Sequence, residues 1–216
     1  MMGGRRVAAL ALLLFPPALQ AQVAFTARAS TLGLGAELSV RAGAGFGFRL
    51  GGNYFQISRD VNIQDNRYTA TAHLENGTAL LDLYPFGGSF HLSGGAILNY
   101  NEGRLAAHLP VTVNGRAYTQ AEVTQLSGTV TFKRTAPYLG LGFAGRSRIA
   151  ILLDLGVGFT GTPLVALGAT TSLQGAEQTE FSTRLTQEQQ TVQDEINSHS
   201  WLKYHPVLSL GLKLGF

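Results

Sequence analysis

Residues 205–216 read HPVLSLGLKLGF. Leu208, Leu210, Leu212, Leu214 and Phe216 share one parity, and Ser209, Gly211, Lys213 and Gly215 share the other. A period of two belongs to a β-strand, because successive side chains leave the backbone on opposite faces. The stretch therefore predicts a strand with an unbroken aliphatic face and an aromatic end. Its second face is built from small residues and one lysine.

The same pattern recurs upstream in six further segments. In TLGLGAELSVR, Leu32, Leu34, Ala36, Leu38 and Val40 oppose Gly33, Gly35, Glu37, Ser39 and Arg41. FGFRLGGNY (46–54), ALLDLYPF (79–86), FHLSGGAILNY (90–100), YLGLGF (138–143) and IAILLDLGVGF (149–159) alternate likewise. Each run is close to the ~9–11 residues a tilted strand needs to cross a bilayer. A soluble sandwich also alternates, but it turns a charged face to water. Here the second face is mostly glycine and serine with single charges, Glu37, Arg49, Asp82, Asp154 and Lys213. That composition suits a narrow enclosed lumen.

Composition agrees. Charged residues make up 13% of the chain, against roughly a quarter in ordinary soluble domains. The 27 glycines and 45% apolar residues are dispersed, and past residue 21 no apolar run approaches the ~18 residues of a membrane helix. The start, MMGGRRVAALALLLFPPALQA, joins Arg5 and Arg6 to a short apolar stretch and a small residue, Ala21. That is the pattern of a secretory signal peptide over residues 1–21, leaving a domain over 22–216. Removing 1–21 takes away two of the 16 basic residues and none of the 13 acidic ones, for a balance of +1. No basic surface for nucleic acid results. The chain has no cysteine, which excludes disulfides, thiol chemistry and thiolate-bound metal.

The connections at 41–45, 85–89 and 144–148 are short, and those at 59–69, 101–133 and 161–203 are long. Bacterial barrels place short turns in the periplasm and long loops outside. With seven clear strands, closure needs one more, and QVAFTARAS (22–30) is the only place for it. Its connection to the next strand falls near Ser30 and Thr31. The expected fold is all-β: a closed antiparallel up-and-down transmembrane barrel of about eight strands with long extracellular loops. Asn114-Gly115 signals a hairpin within one loop, expected to extend the wall above the membrane. TEFSTRLTQEQQTVQDEINSHS (179–200) predicts a short helix with Phe181, Leu185, Val192 and Ile196 on one stripe. It either caps the barrel mouth or rests on the rim.

On the export signal, the strand rhythm and the terminal Phe216, residues 22–216 resemble the small eight-stranded outer-membrane barrels of Gram-negative bacteria, the opacity-protein and OmpA-like group. The resemblance implies a bacterial outer-membrane location among lipid and lipopolysaccharide. It also implies that Leu208, Leu210, Leu212, Leu214 and Phe216 form the signal read by the barrel-assembly machinery. Aromatics fall at both expected interfaces, Tyr84, Phe86, Phe90, Phe143 and Phe216 inside, and Tyr54, Tyr100, Phe159, Trp201 and Tyr204 outside.

GLGFAG (140–145) matches a dinucleotide fingerprint, yet Arg146-Ser147-Arg148 and another strand follow it instead of the required helix. His91-Leu92-Ser93 places an imidazole and a hydroxyl on one strand face, weakly resembling outer-membrane lipid A deacylases, with Asp82 as the nearest orienting carboxylate. It follows a short turn, on the side away from the outer leaflet. His199 lies in a loop, and His73, His108 and His205 are scattered, so neither metal nor other cofactor is expected. The lumen charges Glu37, Arg49, Asp82, Asp154 and Lys213 must pair or meet water. Paired, they plug the barrel and suit a structural or surface-interaction role whose loop partner the sequence does not name. Wet, they line a narrow porin-like channel for small solutes or ions. A lipid-modifying enzyme is the third reading.

Overall fold

The computed structural model describes residues 21–63 and 66–216. The expected signal peptide lies outside the described residues except for Ala21. β1 (Ala21–Ser30) and β2 (Gly33–Ala42) are joined through Thr31 and Leu32, the tight connection expected there. Gly33 turns this corner with φ of +119°, a left-handed conformation that glycine adopts without steric cost. β3 (Phe46–Ile63) and β4 (Asn66–Leu83) follow, then β5 (Phe90–Asn99), β6 (Glu102–His108), β7 (Val111–Val113), β8 (Arg116–Tyr118) and β9 (Val123–Thr131). β10 (Thr135–Ala144), β11 (Ile149–Gly158) and β12 (Leu164–Thr171) precede the helix α1 (Gly175–Ser198) and the last strand, β13 (His205–Gly215).

Eight strands pair antiparallel in a ring, β1-β2-β3-β4-β5-β10-β11-β13 and back to β1. The first and last strands form the seam, with Ala24 opposite Gly215 and Ser30 opposite Ser209. Beyond the paired register, Phe216 N donates to Val23 O at 2.9 Å and Thr31 N to Leu208 O at 3.0 Å. A ring leaves no strand edge unpaired, which is what a backbone in hydrocarbon requires.

β3 and β4 do not stop where the ring stops. The stretch 59–69, expected as a loop, instead continues β3 as far as Ile63 and β4 from Asn66, and Asp60 opposes Thr69. The upper half of β4 then exchanges β5 for β6, and β9 and β12 add to that edge. The sheet thus has eleven strands, eight in the ring and three beyond it at the long-loop end. The Asn114-Gly115 hairpin is present as β7–β8, but it forms its own small sheet and does not extend the wall. Both turn residues have positive φ, 44° and 77°.

This outer sheet has its own core. Val111, Val113, Tyr118, Val123, Leu126, Leu173 and Phe181 bury one another, and the Tyr118 and Phe181 rings meet edge-on at 5.0 Å. α1 begins four residues before the predicted helix and lies against β12 and the hairpin. Its glutamines meet the free edge of the sheet. Gln193 Oε1 accepts from Val165 N at 3.0 Å and Gln189 Oε1 from Leu167 N at 2.9 Å. An exposed strand edge invites pairing with another chain, and here side chains occupy it.

Candidate functional site: the filled lumen

Alternation around the ring sends one parity outward. Leu208, Leu210, Leu212 and Leu214 are exposed, as are Leu34, Leu38, Leu81, Leu139, Ile151 and Leu155 on other strands. An apolar belt on this scale far exceeds the patches of about 300–600 Å² that soluble monomers show. Phe86, Phe143 and Phe216 project near the short-turn end, and Tyr54, Tyr100, Phe159, Trp201 and Tyr204 near the other. Tyr84 departs from its expected place in the girdle. It is buried inside the ring, with the Arg41 guanidinium 3.8 Å above its ring centroid.

The inward parity carries the charges. Arg49, on β3, reaches three carboxylates from three other strands. Its Nε lies 2.7 Å from Asp82 Oδ2, and its Nη1 lies 2.9 Å from Asp154 Oδ2 and 3.4 Å from Glu37 Oε1. Arg28, on β1, donates to Glu37 Oε2 at 2.8 Å and to Asn53 Oδ1 at 2.9 Å. All five charged side chains are at most 4% exposed. Burying an ion costs several kcal/mol unless its partners replace water, and here each guanidinium is shared among several acceptors.

The structure brings Glu37, Arg49, Asp82 and Asp154 together and leaves Lys213 out. Lys213 has the inward parity, but it sits near the end of β13 and its Nζ donates to Gly145 O at the mouth. Arg28 takes the second cationic place. Its parity with Thr26 on β1 was a readable signal for an inward position.

His91 and Ser93 also belong here, though not as nucleophile and base. Ser93 Oγ donates to Asp82 Oδ1 at 2.7 Å and accepts from Arg49 Nη2 at 2.9 Å. His91 Nε2 pairs with Asp154 Oδ1 at 2.9 Å. The hydroxyl proton is therefore directed at a carboxylate, and both residues are buried.

Above the charges the filling continues. Asn53 Nδ2 donates to Asn76 Oδ1, and Asn76 Nδ2 to Leu32 O, both at 2.8 Å. Leu32, Leu80, Ile97, Ala136, Tyr138 and Val207 form an apolar layer inside the ring. Leu32 does not share the outward face of Leu34, because the β1–β2 connection folds it back over the lumen. At the level of this layer a void lined by Arg28, Leu80, Ile97, Tyr138 and Asp154 has a volume of about 10 Å³, at the lower limit for one water. The short-turn end instead opens into a vestibule of about 510 Å³ whose floor includes Arg49, Glu37 and Asp82.

The glycines of GLGFAG now have a packing reason. A Cβ on Gly142 would lie 2.5 Å from Asp154 Oδ1 and 2.7 Å from His91 Nε2, and one on Gly140 2.8 Å from Tyr138 Cζ. They are small so that the lumen can be full, and no helix follows to hold a phosphate.

Lipid-facing ring and filled lumen together define a class, a β-barrel of the membrane-embedded type. No protein-family model and no curated protein matches the chain. Among solved structures, it is similar to Acinetobacter baumannii CarO2, with 21% identity over 91% of this chain and 100% of that one at a TM-score of 0.60. A. baumannii CarO is similar at 22% identity, over 90% and 97% of the two chains, with a TM-score of 0.57. A more distant likeness is to a major outer membrane protein from Thermus thermophilus, 16% identical at a TM-score of 0.44 over 92% and 100% of the chains. The CarO structures show the fold.

Proposed function

We propose that this chain is a bacterial outer-membrane barrel whose plugged lumen serves as a rigid stem, holding the outer sheet and α1 at the cell surface. The observation that carries this reading is the residual space of about 10 Å³ beside Arg28 and Asp154. Ions and solutes do not cross a ring filled by paired charges and an aliphatic layer. An eight-stranded ring is barely wide enough for side chains, and here those side chains are bonded to one another. The lipid belt and the export signal of residues 1–21 support the location, with lipid and lipopolysaccharide as the surroundings. In this reading Leu208, Leu210, Leu212, Leu214 and Phe216 are also the segment the assembly machinery recognises, since the four leucines lie on the seam strand, Phe216 directly follows it, and all five are exposed.

The vestibule favours a second reading, a narrow channel, because it brings water up to the Arg49 cluster from one side. Single-channel recording separates the two. Residues 22–216 are refolded in detergent, checked for heat-modifiable migration, and inserted in a planar bilayer. The plugged stem gives no discrete steps. Reproducible small steps whose ion selectivity changes in Asp154→Asn would refute it and make the charges a conduction path. A hydrolase has no support from the His91 and Ser93 geometry, and loss of lipid A modification in His91→Ala is the result that would reopen it.

A further inference from the structure

α1 is held off the sheet beside it by polar struts. Gln189 and Gln193 hold the edge of β12, while Asn114 of the hairpin donates its N to Glu188 Oε2 at 3.1 Å and its Nδ2 to Gln187 Oε1 at 2.6 Å. Arg184 donates to Asn114 O at 3.0 Å, and Arg116 pairs with Glu180 at 2.9 Å. These contacts set the standoff by the length of polar side chains, while Phe181 and Leu185 anchor the helix to the outer core. Of the apolar stripe only Phe181 is buried, and Leu185, Val192 and Ile196 remain half-buried.

Between that stripe and the sheet lies a cavity of about 320 Å³. Leu126, Val130 and Leu167 form its sheet wall, and Leu185, Val192 and Ile196 its helix wall. Protein interiors are normally packed close to crystal density, so a space this large is a feature of the site. Its size falls at the small end of ligand pockets, which run from about 300 to 1,000 Å³. Among the described residues, the charged ones lining it are Glu188 and Glu195, both on α1, with neither lysine nor arginine. Apolar walls take a hydrocarbon body, and two carboxylates take a positive charge and repel an anion.

We propose that the cavity between α1 and the outer sheet binds a small amphiphilic monocation, an aromatic or aliphatic body carrying one ammonium group. The assignment does not depend on whether the lumen conducts. The full chain, refolded in maltoside micelles, is titrated with 2-phenylethylamine and followed by isothermal calorimetry, with empty micelles as the blank. 2-Phenylethanol is the uncharged counterpart. Saturable binding of the amine is expected, at least tenfold weaker for the alcohol and for Glu188→Gln/Glu195→Gln. Val192→Phe, which fills the cavity, abolishes it. Every variant is first shown to migrate as folded protein. No saturable heat above the micelle blank overturns the proposal. So does an alcohol that binds as tightly as the amine, or binding undiminished in the double glutamine variant or in Val192→Phe.

Discussion

Replacing Arg49 by methionine keeps much of the side-chain volume and removes the charge at the centre of the lumen. What each carboxylate loses can be followed one by one. Glu37 keeps Arg28 at 2.8 Å, and Asp154 keeps His91 at 2.9 Å. Asp82 keeps only the Ser93 hydroxyl, at 2.7 Å. One buried carboxylate is thus left nearly orphaned and a second is left with a shared imidazole. Breaking a buried pair by deleting one partner costs about 3–5 kcal/mol, or roughly two to nearly four orders of magnitude in the folded-to-unfolded ratio. The cost is removed by taking out the stranded charges. Arg49→Met combined with Asp82→Asn and Asp154→Asn recovers most of it, because a buried ionic cluster contributes little net stability over a neutral one of similar shape. Urea unfolding of the refolded chain in detergent, read by tryptophan fluorescence at Trp201 and by heat-modifiable migration, measures both variants on one scale. If Arg49→Met alone unfolds within about 1 kcal/mol of the unmodified chain, the carboxylates were never desolvated. The lumen is then wet, and the plug reasoning fails with it.

Gly142→Ala forces a methyl between His91 and Asp154 and is expected to cost about 1–3 kcal/mol in the same assay. Gly52→Ala, whose Cβ meets nothing within 4 Å, serves as its near-neutral control. Gln189→Leu with Gln193→Leu frees the backbone donors of Val165 and Leu167, and faster amide exchange across 164–171 together with concentration-dependent association is the expected result. Hydrogen bonds from Arg116 and Arg184 hold the Glu180 carboxyl below its usual 4.5. A depressed carboxyl stabilises the docked helix above that value and ceases to as pH falls through its lowered folded value. Limited acid-protease cleavage within 175–198 is therefore expected to rise on acidification below about pH 4.5, and to be insensitive to pH in Glu180→Gln.

The ring was legible in the sequence because a two-residue period is a local property of the backbone. Seven of its strands follow from which residues alternate, and β1 follows from the need to close them into a ring. The outer sheet was not legible for a physical reason. Above the lipid, both faces of β3 and β4 meet water or protein, so 56–74 carries Arg59, Asp60, Arg67 and His73 where a lipid face would carry leucine. Strand pairing continues there while the apolar alternation that announces it does not.

The candidate site divides along the same line. Parity alone placed Glu37, Arg49, Asp82, Asp154 and Lys213 inward, and the structure gives Arg28 and His91 the same side. Which of them meet depends on height, set by how neighbouring strands are staggered as the ring closes. Only the closed register brings Arg49 of β3 to Asp154 of β11, and the same register leaves Lys213 at the mouth. The sequence by itself determined the period, the lipid face and the direction of each charge, because those follow from one residue and its neighbours two positions away. Tertiary structure decided the partners, the apolar layer and the cavity under α1, because each needs residues more than 40 positions apart in the chain held within a few ångströms.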